Sequence, residues 1–222
     1  GNLLVRTGAA VHRLVRGERG VEGVEYTHEG ATHAAHASRE VVMCAGALET
    51  PRLLLLSGIG PQQTLRRAGL PAVHDVPNVG QNLHDHPNVC VFFRGERDVD
   101  CSHPSLYGFH RANEDSDLPP SMSDTCYVFY PARSSLREAM IRILPGLILP
   151  EALYDVPAVP RMIRSGVDLA FRANLLRDFV KRVYGIVVIL GKPKSRGSVA
   201  LRSSSPAAPA LIDPGYFDDP ED

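Results

Sequence analysis

The sequence has no tryptophan, only three lysines among its 24 basic residues, and four cysteines in 222 positions. It also lacks an excess of either charge: 24 Lys plus Arg against 25 Asp plus Glu leave a formal net charge of −1. Nucleic-acid binding driven by phosphate charge needs a basic excess, so that class of partner is not expected. Its apolar runs are broken by Pro or Arg well short of the ~18 residues a spanning helix needs, so a membrane role is not expected and no signal peptide is read. Cys44, Cys90, Cys101 and Cys126 form no C-x-x-C pair. Zinc sites use such pairs, so no metal is expected, and the four read as buried free thiols in a reducing, cytoplasmic setting. Apolar residues make up 44% and charged residues 22%, the balance of a globular protein able to bury a core. The chain opens on Gly1 without Met and stops at Asp222 without a cap, and so reads as the middle of a larger protein.

The first forty residues read as short strands between glycine turns, a meander. Leu3-Leu4-Val5 reads as a strand, followed by one through Val11 to Val15, one over Val21 to Tyr26 and one over Thr32 to His36. Gly17–Gly20 and His28–Gly30 are the turns. Val41-Val42-Met43-Cys44 is continuously apolar, as in a strand buried on both faces. Thr50 reads as an N-cap with Pro51 at the first helical position, and Leu53–Leu56 as a short buried helix that Gly58 ends. A second short helix is expected over Gln62–Ala68. Two prolines and a glycine make Asp75–Pro87 an irregular loop. Strands are read at Val89–Arg94, Tyr127–Tyr130, Ile186–Leu190 and Ser198–Arg202, with a polar loop over Gly95–Pro120 and another loop over Ser203–Ala210. Helices are read at Ser134–Leu149, where Pro145 must kink or end it, and at Arg161–Tyr184. The latter rests on Ile163, Val167, Phe171, Leu175, Phe179 and Val183 near period 3.6, with a linker of prolines before it.

The strongest local feature is the strand read at Val41–Cys44 running into Ala45-Gly46 and a helix. A small-residue turn there lets a ligand or another backbone approach, and open α/β sheets bind ligands beyond strand carboxyl ends. Gly46-Ala47, Thr50-Pro51, Leu53-Leu54 and Ser57-Gly58-Ile59-Gly60 resemble, in register, the second signature of the glucose–methanol–choline (GMC) flavin oxidoreductases. Val5–Val11, Val21–Tyr26, Pro77–His86, Lys192–Val199 and Ile212–Phe217 with Pro220–Asp222 resemble other stretches of that family. Residues 95–185 resemble it only weakly. The glycine-rich turn that holds the flavin pyrophosphate in this family has no match here.

The resemblance implies an α/β (α+β) chain: part of a doubly wound FAD-binding domain over residues 1–90, and a substrate domain of antiparallel sheet and helices over 91–222. It implies FAD as cofactor, a small alcohol as substrate, and the remaining parts of the same flavoprotein as partners. It places Val11 at the adenine, Ala45, Gly46 and Ala47 near the dinucleotide, and Asn82, His84 and Asp85 as close support. It carries no catalytic residue onto this sequence. His84 and His86 flank Asp85, but two ligands at i, i+2 are too few for a metal, and His33, His36, His103 and His110 read as solvated. Two other readings stay open: a catalytically inert piece acting as a binding module, and a non-redox member of the family, a lyase or a photodecarboxylase. An apolar tunnel beside residues 136–183 is the feature that would favour a fatty substrate. The arginine-bearing helix after Arg161 reads as packed on the substrate domain before it reads as a membrane-surface helix.

Overall fold

The computed structural model describes residues 2–18, 20–99, 106–154, 156–172 and 179–222. Cys101, His103 and Leu175 lie outside the described residues; Cys44 and Cys90 are exposed and Cys126 is partly exposed, so none of these three is a buried thiol. The chain has a mixed helix and antiparallel-sheet fold that divides into two compact units, residues 1–85 with 194–222, and residues 86–193. The sequence division near residue 90 puts 194–222 with the substrate domain, whereas here that segment packs with residues 1–85.

In the first unit, β1 (Ala10–Gly17), β2 (Gly20–His28) and β3 (Ala31–His36) form the meander, in that order and antiparallel throughout. Leu14 and Tyr26 are its buried side chains. Helix α1 (Gly46–Leu56) follows, then a two-stranded parallel pair of β4 (Ile59–Gly60) and β5 (His74–Asp75), with α2 (Gln62–Arg67) between them. Leu55 and Leu56 of α1, Leu65 of α2, Ala68 and Leu201 form one apolar core, with Leu70 and Val79 against it. Ser57 ties the helix end to the meander: its hydroxyl donates to the Leu53 carbonyl (2.7 Å) and accepts the Leu14 N–H (2.9 Å). A three-stranded antiparallel sheet of β12 (Ala210–Asp213), β11 (Gly197–Leu201) and β6 (Gln81–Leu83) completes the unit. The Asp222 carboxylate anchors the turn before β11, accepting the N–H groups of Lys194 (2.6 Å) and Ser195 (2.9 Å). Burial works against its charge, but the Ser195 hydroxyl and these two N–H groups prevail and hold its pKa below the usual carboxylate value.

In the second unit, β7 (Asn88–Arg94), β10 (Val183–Leu190), β9 (Thr125–Pro131) and β8 (Tyr107–His110) form a four-stranded antiparallel sheet in that order. Helices α3 (Ala132–Ile148), α4 (Glu151–Tyr154) and α5 (Ala158–Arg172) fill the connection between β9 and β10. Leu136 of α3 and Phe171 of α5 pack on Val180 and Val183, so the helices cover the sheet face that Val183 occupies. Buried Asp124 fixes the loop after β8, accepting the N–H groups of Ala112 (2.7 Å) and Asn113 (3.0 Å) and the Thr125 hydroxyl (2.9 Å). Burial opposes that charge too, and the three donors outweigh it, leaving the carboxyl pKa lowered.

Several local expectations are corrected. Leu3–Val5 and Val41–Cys44 are not strands, and Leu3, Leu4 and Val42 stand 80%, 81% and 73% exposed. Strand character is completed by a neighbour's hydrogen bonds, and neither segment has one among the described residues. The first helix begins at Gly46, not after Thr50, with Ala45 as an N-cap that makes no side-chain hydrogen bond. Pro51 therefore lies in the second turn, where it cannot return the usual bond to the Ala47 carbonyl. A strand, β8, lies inside the loop read at Gly95–Pro120, and short β6 lies inside the one read at Asp75–Pro87. Pro145 does not end α3, which continues to Ile148. The proline linker carries α4 and the start of α5, with Pro160 inside the latter. The long helix read through Tyr184 stops short of it: Val183 and Tyr184 belong to β10, whose pairing on both sides overrides the helical spacing. Among the described residues no helix is long and apolar enough to cross a membrane.

Candidate functional site

The N-terminus of α1 is bare. Gly46 has φ +86°, and a Cβ built there would meet nothing within 4 Å. The N-cap residue Ala45 makes no side-chain cap hydrogen bond, and Ala45 and Ala47 are small and exposed. The first N–H groups of a helix have no partner within it, so this end offers donors and a positive dipole end to a ligand. Glu49, the acidic residue of that turn, is neutralised by Arg52 at 2.6 Å.

Beside this helix lies an open cleft of ≈ 460 Å³, walled by Ala47, Thr50, Pro51 and Leu54 on one side, by residues 78–84 on the other, and by Val199. Gly80 lets the wall close up. Its φ is +78°, its carbonyl accepts the Val199 N–H at 2.7 Å, and a Cβ there would stand 2.2 Å from the Val199 carbonyl oxygen. Asn82, also in the left-handed region at φ +60°, turns the chain so that His84 follows along the cleft. Asp85, next in sequence, accepts a hydrogen bond from the Tyr216 hydroxyl. That bond, to a carboxylate that favours the protonated phenol, raises the Tyr216 pKa.

Of the residues singled out in the sequence, Ala47, Asn82 and His84 line this cleft together. Ala45 and Gly46 precede Ala47 at the helix end, and Asp85 is held just beyond the wall by Tyr216. Val11 lies on β1, opposite Tyr26 in the ladder, and does not line the cleft. Gly80, Val199 and Tyr216 are not among the site residues expected from the sequence. Gly80 and Val199 fall inside stretches that carry the family resemblance, but nothing in the sequence shows that they meet. No group of three or more His, Cys, Asp or Glu among the described residues could hold a metal.

Residues 1–88 match the family model for GMC oxidoreductases, and an uncharacterized GMC-type oxidoreductase of Mycobacterium tuberculosis is 35% identical over 229 residues, covering 98% of this chain and 38% of the relative. The chain belongs to the GMC oxidoreductase family. An alcohol dehydrogenase [acceptor] of Pseudomonas putida is 28% identical, covering all of this chain (100%) and 38% of that protein. Among solved structures, pyridoxine 4-oxidase from Mesorbium loti superposes with a TM-score of 0.68 at 24% identity, over 96% of this chain and 35% of the other. A formate oxidase does so with a TM-score of 0.66 at 23% identity, over 96% and 40%. These two show the GMC fold. This chain spans little more than a third of the length of these proteins. FAD is the cofactor of the GMC family, and the α1 terminus fits a flavin dinucleotide: an uncapped helix end, small residues that leave room, and an open cleft alongside.

Proposed function

We propose that the whole protein is an FAD-dependent oxidoreductase acting on the CH–OH group of a small alcohol, and that this chain supplies one wall of its cofactor site and the greater part of its substrate unit. When bound, FAD supplies a two-electron acceptor for the hydride of the alcohol's carbinol carbon. This chain's residues bind and orient. Ala45, Gly46 and Ala47 hold the bare end of α1 against the dinucleotide, where any larger side chain would fill the space. Asn82 and His84 form the facing wall, and Asp85, braced by Tyr216, holds that wall in place. Val11 contacts the adenine end. The unit of residues 1–85 with 194–222 serves the cofactor, and residues 86–193 the substrate. No residue of this chain is given the role of catalytic base. The observation that carries the reading is the open Gly46–Ala47 helix end on the ≈ 460 Å³ cleft.

The test is Ala47→Glu in the full-length flavoprotein, which puts bulk and negative charge at that end. FAD retention is expected to fall roughly tenfold or more, read from flavin absorbance after gel filtration, together with alcohol-dependent dye reduction. A variant that keeps its full flavin content and turnover defeats the assignment of the site. A parent protein that holds FAD but reduces no dye with any alcohol defeats the assignment of the reaction.

A further inference from the structure

Helices α3, α4 and α5 leave large apolar side chains in water. Leu147 and Ile148 at the end of α3, Leu153 of α4 and Val156 before α5 are all exposed, Leu147 by 75%. Met162 and Leu169 of α5 stand 73% and 70% exposed. They lie seven residues apart, close to two helical turns, and so share one stripe of that helix. Packing within the unit uses a different stripe: Val167 is buried, and Phe171 lies on Val180 and Val183. A single exposed leucine needs no explanation, but apolar exposure spread over three successive elements marks an interaction surface.

The charges beside it have one sign to spare. Asp168 takes both Arg137 and Arg172, and Glu138 is paired with Arg137 at 2.8 Å. Arg142, Arg161 and Arg164 make no ion pair among the described residues. Arg142 and Arg161 bracket the apolar segment, within which the sequence has only two charged residues, Glu151 and Asp155.

We propose that this surface docks on an anionic phospholipid bilayer, its apolar side chains entering the boundary between headgroups and acyl chains while Arg142, Arg161 and Arg164 take lipid phosphates. A guanidinium meets phosphate with two parallel hydrogen bonds, and its stem lies along the apolar boundary. A protein partner would have to set acids in register with these three arginines, whereas an anionic leaflet attracts them wherever they land. Docking of this kind runs along the interface and needs no spanning helix. The surface lies within residues 86–193 and depends on neither the cofactor site nor the reaction proposed above.

The experiment is co-sedimentation of the full-length protein with sucrose-loaded vesicles, made either of phosphatidylcholine alone or of equal parts phosphatidylcholine and phosphatidylglycerol. Saturable binding to the mixed vesicles is expected, with binding to phosphatidylcholine alone roughly fivefold weaker or more. Leu147→Gln with Leu169→Gln removes apolar contacts without adding charge; both positions are exposed, so the fold should be kept and binding to both vesicles should weaken roughly tenfold or more. Arg161→Gln should weaken binding to the mixed vesicles by roughly fivefold and change binding to phosphatidylcholine much less. A parent protein that sediments with neither vesicle overturns the proposal. If the double variant then melts lower than the parent, the rest of the flavoprotein covers this surface; if it turns a dimer into a monomer, a second copy does. A double variant that is folded by circular dichroism and binds as tightly as the parent also overturns it. Equal loss on both vesicles in Arg161→Gln overturns the role given to the arginines.

Discussion

Gly80→Ala gives a sharp test of how the cofactor cleft is built. The added methyl meets two independent penalties. A residue with a Cβ at φ +78° loses about 1–2 kcal/mol. The Cβ also stands 2.2 Å from the Val199 carbonyl oxygen, on a backbone already fixed by the 2.7 Å bond from the Val199 N–H to Gly80. Neither partner is the far end of a flexible side chain, so relief requires β6 and β11 to separate, at about 1–3 kcal/mol. Together these give a destabilisation of about 2–5 kcal/mol. For a chain of this size that is a fall in Tm of about 4–20 °C, measured by scanning calorimetry. Gly69→Ala is the control: its φ is +76° but its Cβ would meet nothing within 4 Å, so only the backbone penalty of about 1–2 kcal/mol applies. The reasoning is refuted if Gly80→Ala melts with Gly69→Ala, because the close approach to Val199 would then contribute nothing. Separation of β6 from β11 also moves a wall of the cleft, so Gly80→Ala should release FAD from the full-length protein more readily than Gly69→Ala does.

Three further outcomes follow from the same geometry. Asp124→Asn keeps one acceptor oxygen for the N–H groups of Ala112 and Asn113, which now share the carboxylate; it should destabilise the chain by about 1–3 kcal/mol in urea titration, and a midpoint equal to the parent's counts against the buried bonds. The Asp222 pKa is lowered on folding, so its contribution is complete above the ordinary carboxylate pKa and is lost as pH falls through the lowered value; Asp222→Asn should therefore flatten the acid limb of a Tm-against-pH curve and leave its shape above neutrality unchanged. The Tyr216 pKa is raised, so its bond to Asp85 is complete below the ordinary phenol pKa and is lost as pH rises through the raised value. Tyr216→Phe should remove that alkaline loss and, in the full-length protein, loosen FAD; identical alkaline limbs for parent and variant speak against the brace.

Parts of this architecture could be read directly from the residues because they depend on neighbours in sequence. The meander follows from glycine turns between alternating segments, and a hairpin ladder joins residues a few positions apart. The leucines before Gly58 specify the buried half of α1, and Gly58 and Gly69 end their helices at φ +77° and +76°. The candidate helix end at Ala45–Ala47 was legible for the same reason, since it is one continuous stretch. The misreadings share an opposite cause. Val41–Cys44 has strand composition but no strand partner among the described residues, Val183 and Tyr184 continue a helical spacing but are claimed by pairing with β7 and β9, and Thr50 has cap chemistry but lies inside a helix that starts four residues earlier.

The amino-acid sequence by itself determined the family, the local turns, and the small residues that leave α1 uncapped, because each is a property of a short run of side chains. Only the tertiary structure decided what those residues face. Gly80 meets Val199, and Tyr216 reaches Asp85 across 131 positions. Val167 of α5 is buried, whereas Leu169 of the same helix stands exposed. A hydrogen bond or a cavity between distant segments depends on register and on the approach of two backbones, and neither quantity is written in the spacing of residues along one strand or helix.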